Sequence, residues 1–209
     1  MRVVFPALAL ALAGCSHGER PAAATPAAVA DGLDWRTVAT PADRQRLRDW
    51  RTAWMAALPQ ARVVDADGIA AQGALFAPDV ALNAPAPPPG NYRCRVFKLG
   101  AKDGGPRGFT AHPPFACRLT REHGALAFTK LTGSQRPVGH VYPDGTQRAV
   151  FLGSLVLGDE RGAMRYGTDA QRDMAGWVER IGARRWRVVL PYPRFESLLD
   201  VVELVPAGQ

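Results

Sequence analysis

Between Thr40 and Pro59, apolar residues recur at three- and four-residue steps. Leu47, Trp50, Trp54 and Leu58 fall on one face of a helix, and Arg44, Arg48 and Arg51 fall elsewhere. The start of this helix is marked. Thr40 is an N-cap, Pro41 takes the first helical position, and Asp43 puts an acid in the first turn. Pro59 is expected to stop the helix at Leu58. The two tryptophans, one turn apart, read as a packing stripe. A weaker helical pattern covers Ile69 to Phe76, interrupted by Gly73. Pro85, Pro87, Pro88 and Pro89 then form an extended connector.

From Tyr92 onward the period changes to two. Short alternating runs predict strands over 92–99, 115–121, 125–131, 136–142, 148–157, 163–166, 174–181, 185–191 and 198–205. Connections this short join only antiparallel neighbours. In 148–157, Ala149, Phe151, Gly153, Leu155 and Leu157 face one way and Val150, Leu152, Ser154 and Val156 the other. Both faces are largely apolar, so both need cover. One would look into a barrel, and the other would lie under the tryptophan face of the helix. The expected fold is mainly β with α: an amphipathic amino-terminal helix, followed by a second helical stretch, packed on an antiparallel lipocalin-like or related β-barrel. Gly90-Asn91-Tyr92 also resembles the glycine-x-tryptophan opening of lipocalin-type barrels, with tyrosine in place of tryptophan.

The chain begins with a basic residue, Arg2, and an apolar run from Val3 to Ala13 that is too short to span a bilayer. It ends in Leu12-Ala13-Gly14-Cys15, which resembles the lipobox of bacterial lipoproteins. The resemblance implies a signal peptide over 1–14, removed before an acylated Cys15. Segment 15–33 would be a lipidated, Ala/Pro-rich tether, and 34–206 a single domain. Three acyl chains, at about 0.8 kcal/mol per buried CH2, make a lasting anchor. Ser16 resembles the residue found in lipoproteins passed on to the outer membrane. The expected location is therefore the outer membrane, lipid-anchored and facing the periplasm, with the membrane as partner.

The formal charge is +7, and only three of the 26 Lys and Arg residues are lysine: Lys98, Lys102 and Lys130. An exported protein rarely meets nucleic acid, so none is expected as a partner. Arginine bias amid abundant Ala, Gly and Pro reads first as codon usage in a GC-rich genome, and second as attraction to an anionic envelope ligand. With Cys15 committed to lipid, Cys94 and Cys117 form an even pair, which in an oxidising compartment reads as a disulfide. His112, His123 and His140 do not form a ligand-spaced cluster with them, so no metal and no cofactor is expected.

Catalytic signatures are lacking. There is no G-x-S-x-G elbow, and Ser134, Ser154 and Ser197 have no sequence-level claim on a histidine. Gly104-Gly105-Pro106-Arg107-Gly108 lacks the lysine and helix of a phosphate loop. Asp159, Glu160, Asp169 and Asp173 are candidates for carboxylate chemistry, with solvated turn acids as the simpler reading. Around the turn 182–184, Glu179 would lie opposite Arg187 and Arg180 opposite Trp186, an ion pair and a cation–π contact. Arg136, Arg180 and Arg187 would form an anion-gripping ring if they met at a barrel mouth.

The segments LTGSQRP (131–137), FLGSLVLGDE (151–160), Tyr166-Gly167, RDMAGWVERIG (172–182) and RWRVVLPYPRFESLLDVVELVP (185–206) are similar to an uncharacterised lipoprotein family of Gram-negative bacteria, domain of unknown function 4893. The resemblance runs from about Asp34 to Val205 and implies the lipoprotein character and the helix-then-barrel order. It brings no activity or catalytic residue. The expected function is a non-catalytic binding or envelope-associated module, with a possible anionic ligand or protein partner. The alternatives are an envelope hydrolase with mouth carboxylates and a structural assembly partner.

Overall fold

A computed structural model describes Met1 and residues 34–102, 107–122 and 125–208. The signal segment, Cys15, the tether and the His123 turn lie outside the described residues. The order is α1 (Trp35–Val38), α2 (Pro41–Arg48), α3 (Trp50–Val64), α4 (Ala66–Ala71) and a 3-10 turn at Gly73–Phe76. Nine strands follow: β1 (Gly90–Ala101), β2 (Phe109–Ala111), β3 (Phe115–Glu122), β4 (Ala125–Lys130), β5 (Gln135–Asp144), β6 (Arg148–Leu157), β7 (Asp173–Gly182), β8 (Arg185–Pro191) and β9 (Ser197–Pro206).

From β3 to β9 each strand pairs antiparallel with the next. β1 pairs with β3 through its first half and with β9 along nearly its whole length, which closes an eight-stranded up-and-down barrel. Closure removes the exposed edges an open sheet would present. Short β2 pairs with the second half of β1, on the same edge as β3. His112-Pro113-Pro114 lies between the two pairings, opposite Arg95 and Val96. The prolines lack the N–H that would continue the ladder, so the edge kinks there.

Most sequence-predicted strands are present, to within a residue or two. Segment 163–166 is an exception: it belongs to the long β6–β7 connection. The helix differs in two ways. It breaks at Asp49, which has φ −83° and ψ 7° and serves as C-cap of α2 and N-cap of α3. It also runs through Pro59 to Val64. Pro59 is on the exposed side, where the carbonyl it leaves without an intrahelical donor can meet water. Meanwhile the buried series Ala53, Trp54, Ala57, Leu58 and Ala61 continues past it. Burial of that face outweighs the proline.

Two apolar cores result, one on each side of the barrel wall. The outer one packs Trp54, Leu58, Leu75 and Phe76 against Phe97, Leu99, Val150, Leu152, Val189 and Leu199. Trp54 is fully buried and Trp50 packs beside it, half-buried. Gly100, at φ +68°, allows the approach of α3: a Cβ there would lie 2.9 Å from the Cα of Ala57. The inner core holds Tyr92, Leu119, Phe128, Phe151, Val178, Trp186 and Leu204. Edge-on ring pairs, Tyr92 with Trp186 and Phe128 with Phe151, plug this end of the barrel. Gly153 of β6 completes the plug, because a Cβ there would meet the Phe151 ring at 2.6 Å. Cys94 and Cys117 form the disulfide inside the barrel wall, between β1 and β3.

Candidate functional site

The plug fills only one end. At the other, a cavity of about 450 Å³ opens between the strand ends, within the roughly 300–1,000 Å³ of ordinary ligand pockets. Strand alternation aims Val96 and Lys98 of β1 inward, together with Phe115, Leu155, Met174, Leu190 and Val202 from the other strands. The inward strand positions are thus mainly apolar, while about half of the residues around the cup are polar or charged.

Lys98 is the most buried cation of the cup. Its Nζ donates to Asp200 Oδ2 at 3.2 Å and lies 3.5 Å from Glu196. The Ser197 hydroxyl donates to the other oxygen of Asp200. Burial pushes the Asp200 carboxyl up, opposed by Lys98 and Ser197. Lys130, from the end of β4, sits 4.2 Å from the centre of the Phe115 ring. Burial lowers its pKa, and the nearby charges of Lys98 and Arg136 add to the effect. His112 also lines the cup. Its Nε2 is buried with no hydrogen-bond partner, and burial followed by Lys98 lowers its pKa, favouring the neutral ring.

One side of the cup is the β6–β7 connection, and a polar network ties it to α2. Thr40 caps α2 by accepting from the Asp43 N–H at 3.1 Å. Buried Asp43 pairs with Arg46 and accepts the Tyr166 hydroxyl at 2.5 Å. Arg46 and Asp173 both line the cavity. Burial pushes Asp173 up, while the Gly167 N–H stabilises its carboxylate. Farther along, Arg172 makes two 2.9 Å bonds to Glu160. Arg172, with the Leu157 N–H, holds Glu160 down at about 2.

The three sequence-predicted arginines stand in three different places. Arg136 staples a loop corner, donating to the carbonyls of Gly133, Gly158 and Glu160. Arg180 lies toward the plugged end, opposite Trp186 in register as expected. Arg187 is wholly buried under the helices on the outer face of β8. It pairs with Glu179 at 2.6 Å, so that pairing is real but buried rather than exposed. Its guanidinium, and not that of Arg180, lies over an indole: Trp54, at 4.8 Å. The ring is not assembled, because strand parity and strand end separate its members. Of the four candidate carboxylates, Asp173 alone lines the cup. Among the serines, Ser134 belongs to the rim, Ser197 bonds Asp200, and Ser154 is buried with an unpartnered hydroxyl.

Sequence reasoning passed over Lys98, Lys130, His112 and Asp200. Two signals pointed to them. Lysine is rare in this chain, and Lys98 is in phase with the inward residues Cys94 and Val96, as Lys130 is with Phe128. Among the described residues, no group of three or more His, Cys, Asp or Glu side chains is placed to hold a metal ion.

The architecture is an up-and-down barrel plugged at one end, open as a cup at the other, and braced outside by helices. The chain belongs to the family described as Domain of unknown function (DUF4893), whose model matches residues 35–204. None of the curated proteins and none of the solved structures matches it.

Proposed function

We propose that the protein is a lipid-anchored lipoprotein of the Gram-negative outer membrane, facing the periplasm and acting as a non-catalytic binding module. The half-open barrel carries this reading. A cavity of about 450 Å³, with apolar strand residues inside and polar and charged groups around them, has the size and the mixed lining of a small-ligand site. The anchor is supported by Leu12-Ala13-Gly14-Cys15, and a disulfide fits an oxidising compartment. Palmitate labelling should mark the wild type and not Cys15→Ser.

The test of the cup uses N-phenylnaphthylamine, a neutral apolar fluorophore. The wild type should bind it saturably, and Val96→Trp, which fills the cavity, should bind it at least about tenfold more weakly, a loss of 1.4 kcal/mol. Equal binding by both proteins would remove the cup from the account. A second reading, an envelope hydrolase, draws on Asp173 and Asp200, two acids of raised pKa on one cavity wall. Both oxygens of Asp200 are already engaged, by Lys98 and Ser197, which favours the binding module.

A further inference from the structure

All three lysines of this arginine-rich chain meet at the cup. Lys98 and Lys130 line it, and Lys102 donates to the carbonyls of Pro193 and Arg194, holding the loop that forms part of the rim. A lysine presents a compact point charge where an arginine would present a broad fork, and so suits a narrow apolar chamber. The charges divide unevenly. Each carboxylate of the lining already has a donor: Asp173 the Gly167 N–H, Asp200 both Lys98 and Ser197, and Glu196 Lys98. Arg46 and Arg172 are likewise taken up, by Asp43 and Glu160, and Arg194 stands exposed to solvent at the rim. Lys130 is different. Among the described residues no carboxylate pairs with it, and it rests half-buried against the Phe115 ring.

We propose that the cup, read as the binding site inferred above, selects a single-chain amphiphile whose anionic head, a carboxylate or phosphate, is seated on Lys130, with its alkyl chain against the apolar strand residues. A half-buried ammonium without a counter-charge is incompletely solvated, and an incoming anion offsets that cost. A cationic head would find Asp200 and Glu196 already facing Lys98, leaving Asp173, whose Oδ1 accepts the Gly167 N–H, as its one lining carboxylate without a basic partner. The rim suits entry of a chain, since Phe195 lines it and is 38% exposed.

Calorimetric titration of the full chain carrying Cys15→Ser, which needs no detergent, tests this with four probes: decanoate, decyl phosphate, decanol and decyltrimethylammonium. Either anion should bind at least about tenfold more tightly than decanol, and the cation should bind most weakly. Whichever anion is tighter assigns the head as fatty acid or phospholipid-like. Lys130→Met keeps the apolar stem and removes the ammonium. It should lower anion affinity about tenfold, 1.4 kcal/mol, and leave decanol unchanged, while Lys130→Arg keeps the preference. Decanol equal to decanoate in the wild type, the cation binding tightest, or Lys130→Met retaining the preference would overturn the anionic head and leave the cup standing. Failure of all four probes, with N-phenylnaphthylamine indifferent to Val96→Trp, would overturn the cup itself.

Discussion

Glu179→Ala should be among the most damaging single changes in this protein. Glu179 and Arg187 are both fully buried where the helices meet the barrel. Arg187 donates Nε to Glu179 at 2.7 Å and also reaches the carbonyls of Ala74, Leu75, Ala77 and Pro78 at 2.8–3.1 Å. Arg148 holds the second oxygen of Glu179 at 2.7 Å. Removing one partner of a buried pair typically costs about 3–5 kcal/mol, a large share of a domain stability of roughly 5–15 kcal/mol. Arg187→Met should cost about as much for another reason. Glu179 keeps Arg148, but four carbonyls lose a donor, at roughly 1–3 kcal/mol for each that water cannot reach. The double variant Glu179→Leu/Arg187→Met separates the two roles. A simple buried pair can be exchanged for apolar residues at no loss. Here the carbonyls of Leu75, Ala77 and Pro78 stay orphaned, while that of Ala74 keeps the Ala77 N–H, so the double variant should remain about 3 kcal/mol or more below wild type. Urea unfolding followed by tryptophan fluorescence and circular dichroism gives these values, and hydrogen exchange should show 73–78 opening first. A double variant as stable as wild type would refute the carbonyl-clasp role. A loss under about 1 kcal/mol in Glu179→Ala would refute the buried pair.

Trp54→Ala should cost about 3–5 kcal/mol by thermal or urea unfolding, because the ring is wholly buried between α3 and the barrel. Arg51→Ala, which breaks an exposed and solvent-screened pair with Asp79, should leave the unfolding midpoint close to that of wild type. Replacing Cys94 and Cys117 together by alanine should cost about 3 kcal/mol, since the bridge spans a sequence separation of 23 residues. Thiol counting on the folded oxidised protein should find neither cysteine reactive. Alkali should unfold the protein in a defined window. Burial pushes Tyr92 up to about 12 from an ordinary 10, so the neutral phenol is favoured by folding. That contribution is complete below pH 10 and is lost as pH rises towards 12. Denaturant midpoints measured across that range should fall, and should fall less in Tyr92→Phe.

The alternation in 148–157 carried most of the fold, since two apolar faces on one strand require cover on both sides of the wall. Strand positions followed from period and turns because the barrel is a simple meander, in which each local signal agrees with its neighbour. The Pro59 boundary was misjudged because a local penalty was weighed without the tertiary burial of Ala57, Leu58 and Ala61. Strand β2 has only three residues ahead of the pair Pro113-Pro114, too few to show a period. The site was less legible. Arg136, Arg180 and Arg187 were grouped by charge, yet the end of the barrel and the face of the strand decide where each goes. No pattern along the chain reveals which end of a barrel is plugged. That depends on Tyr92, Phe128, Phe151 and Trp186 meeting in space, and the cup is what they leave open.

The central claim is that this open end is a ligand chamber with Lys130 as its anchor. Its most direct test is a crystal structure of the full chain carrying Cys15→Ser grown with decanoate. The account predicts an alkyl chain along Leu155, Leu190 and Val202, with its carboxylate within about 3 Å of Lys130 Nζ. Decanoate bound instead on the outer helical face, or a cup that stays empty at saturating decanoate, would contradict it.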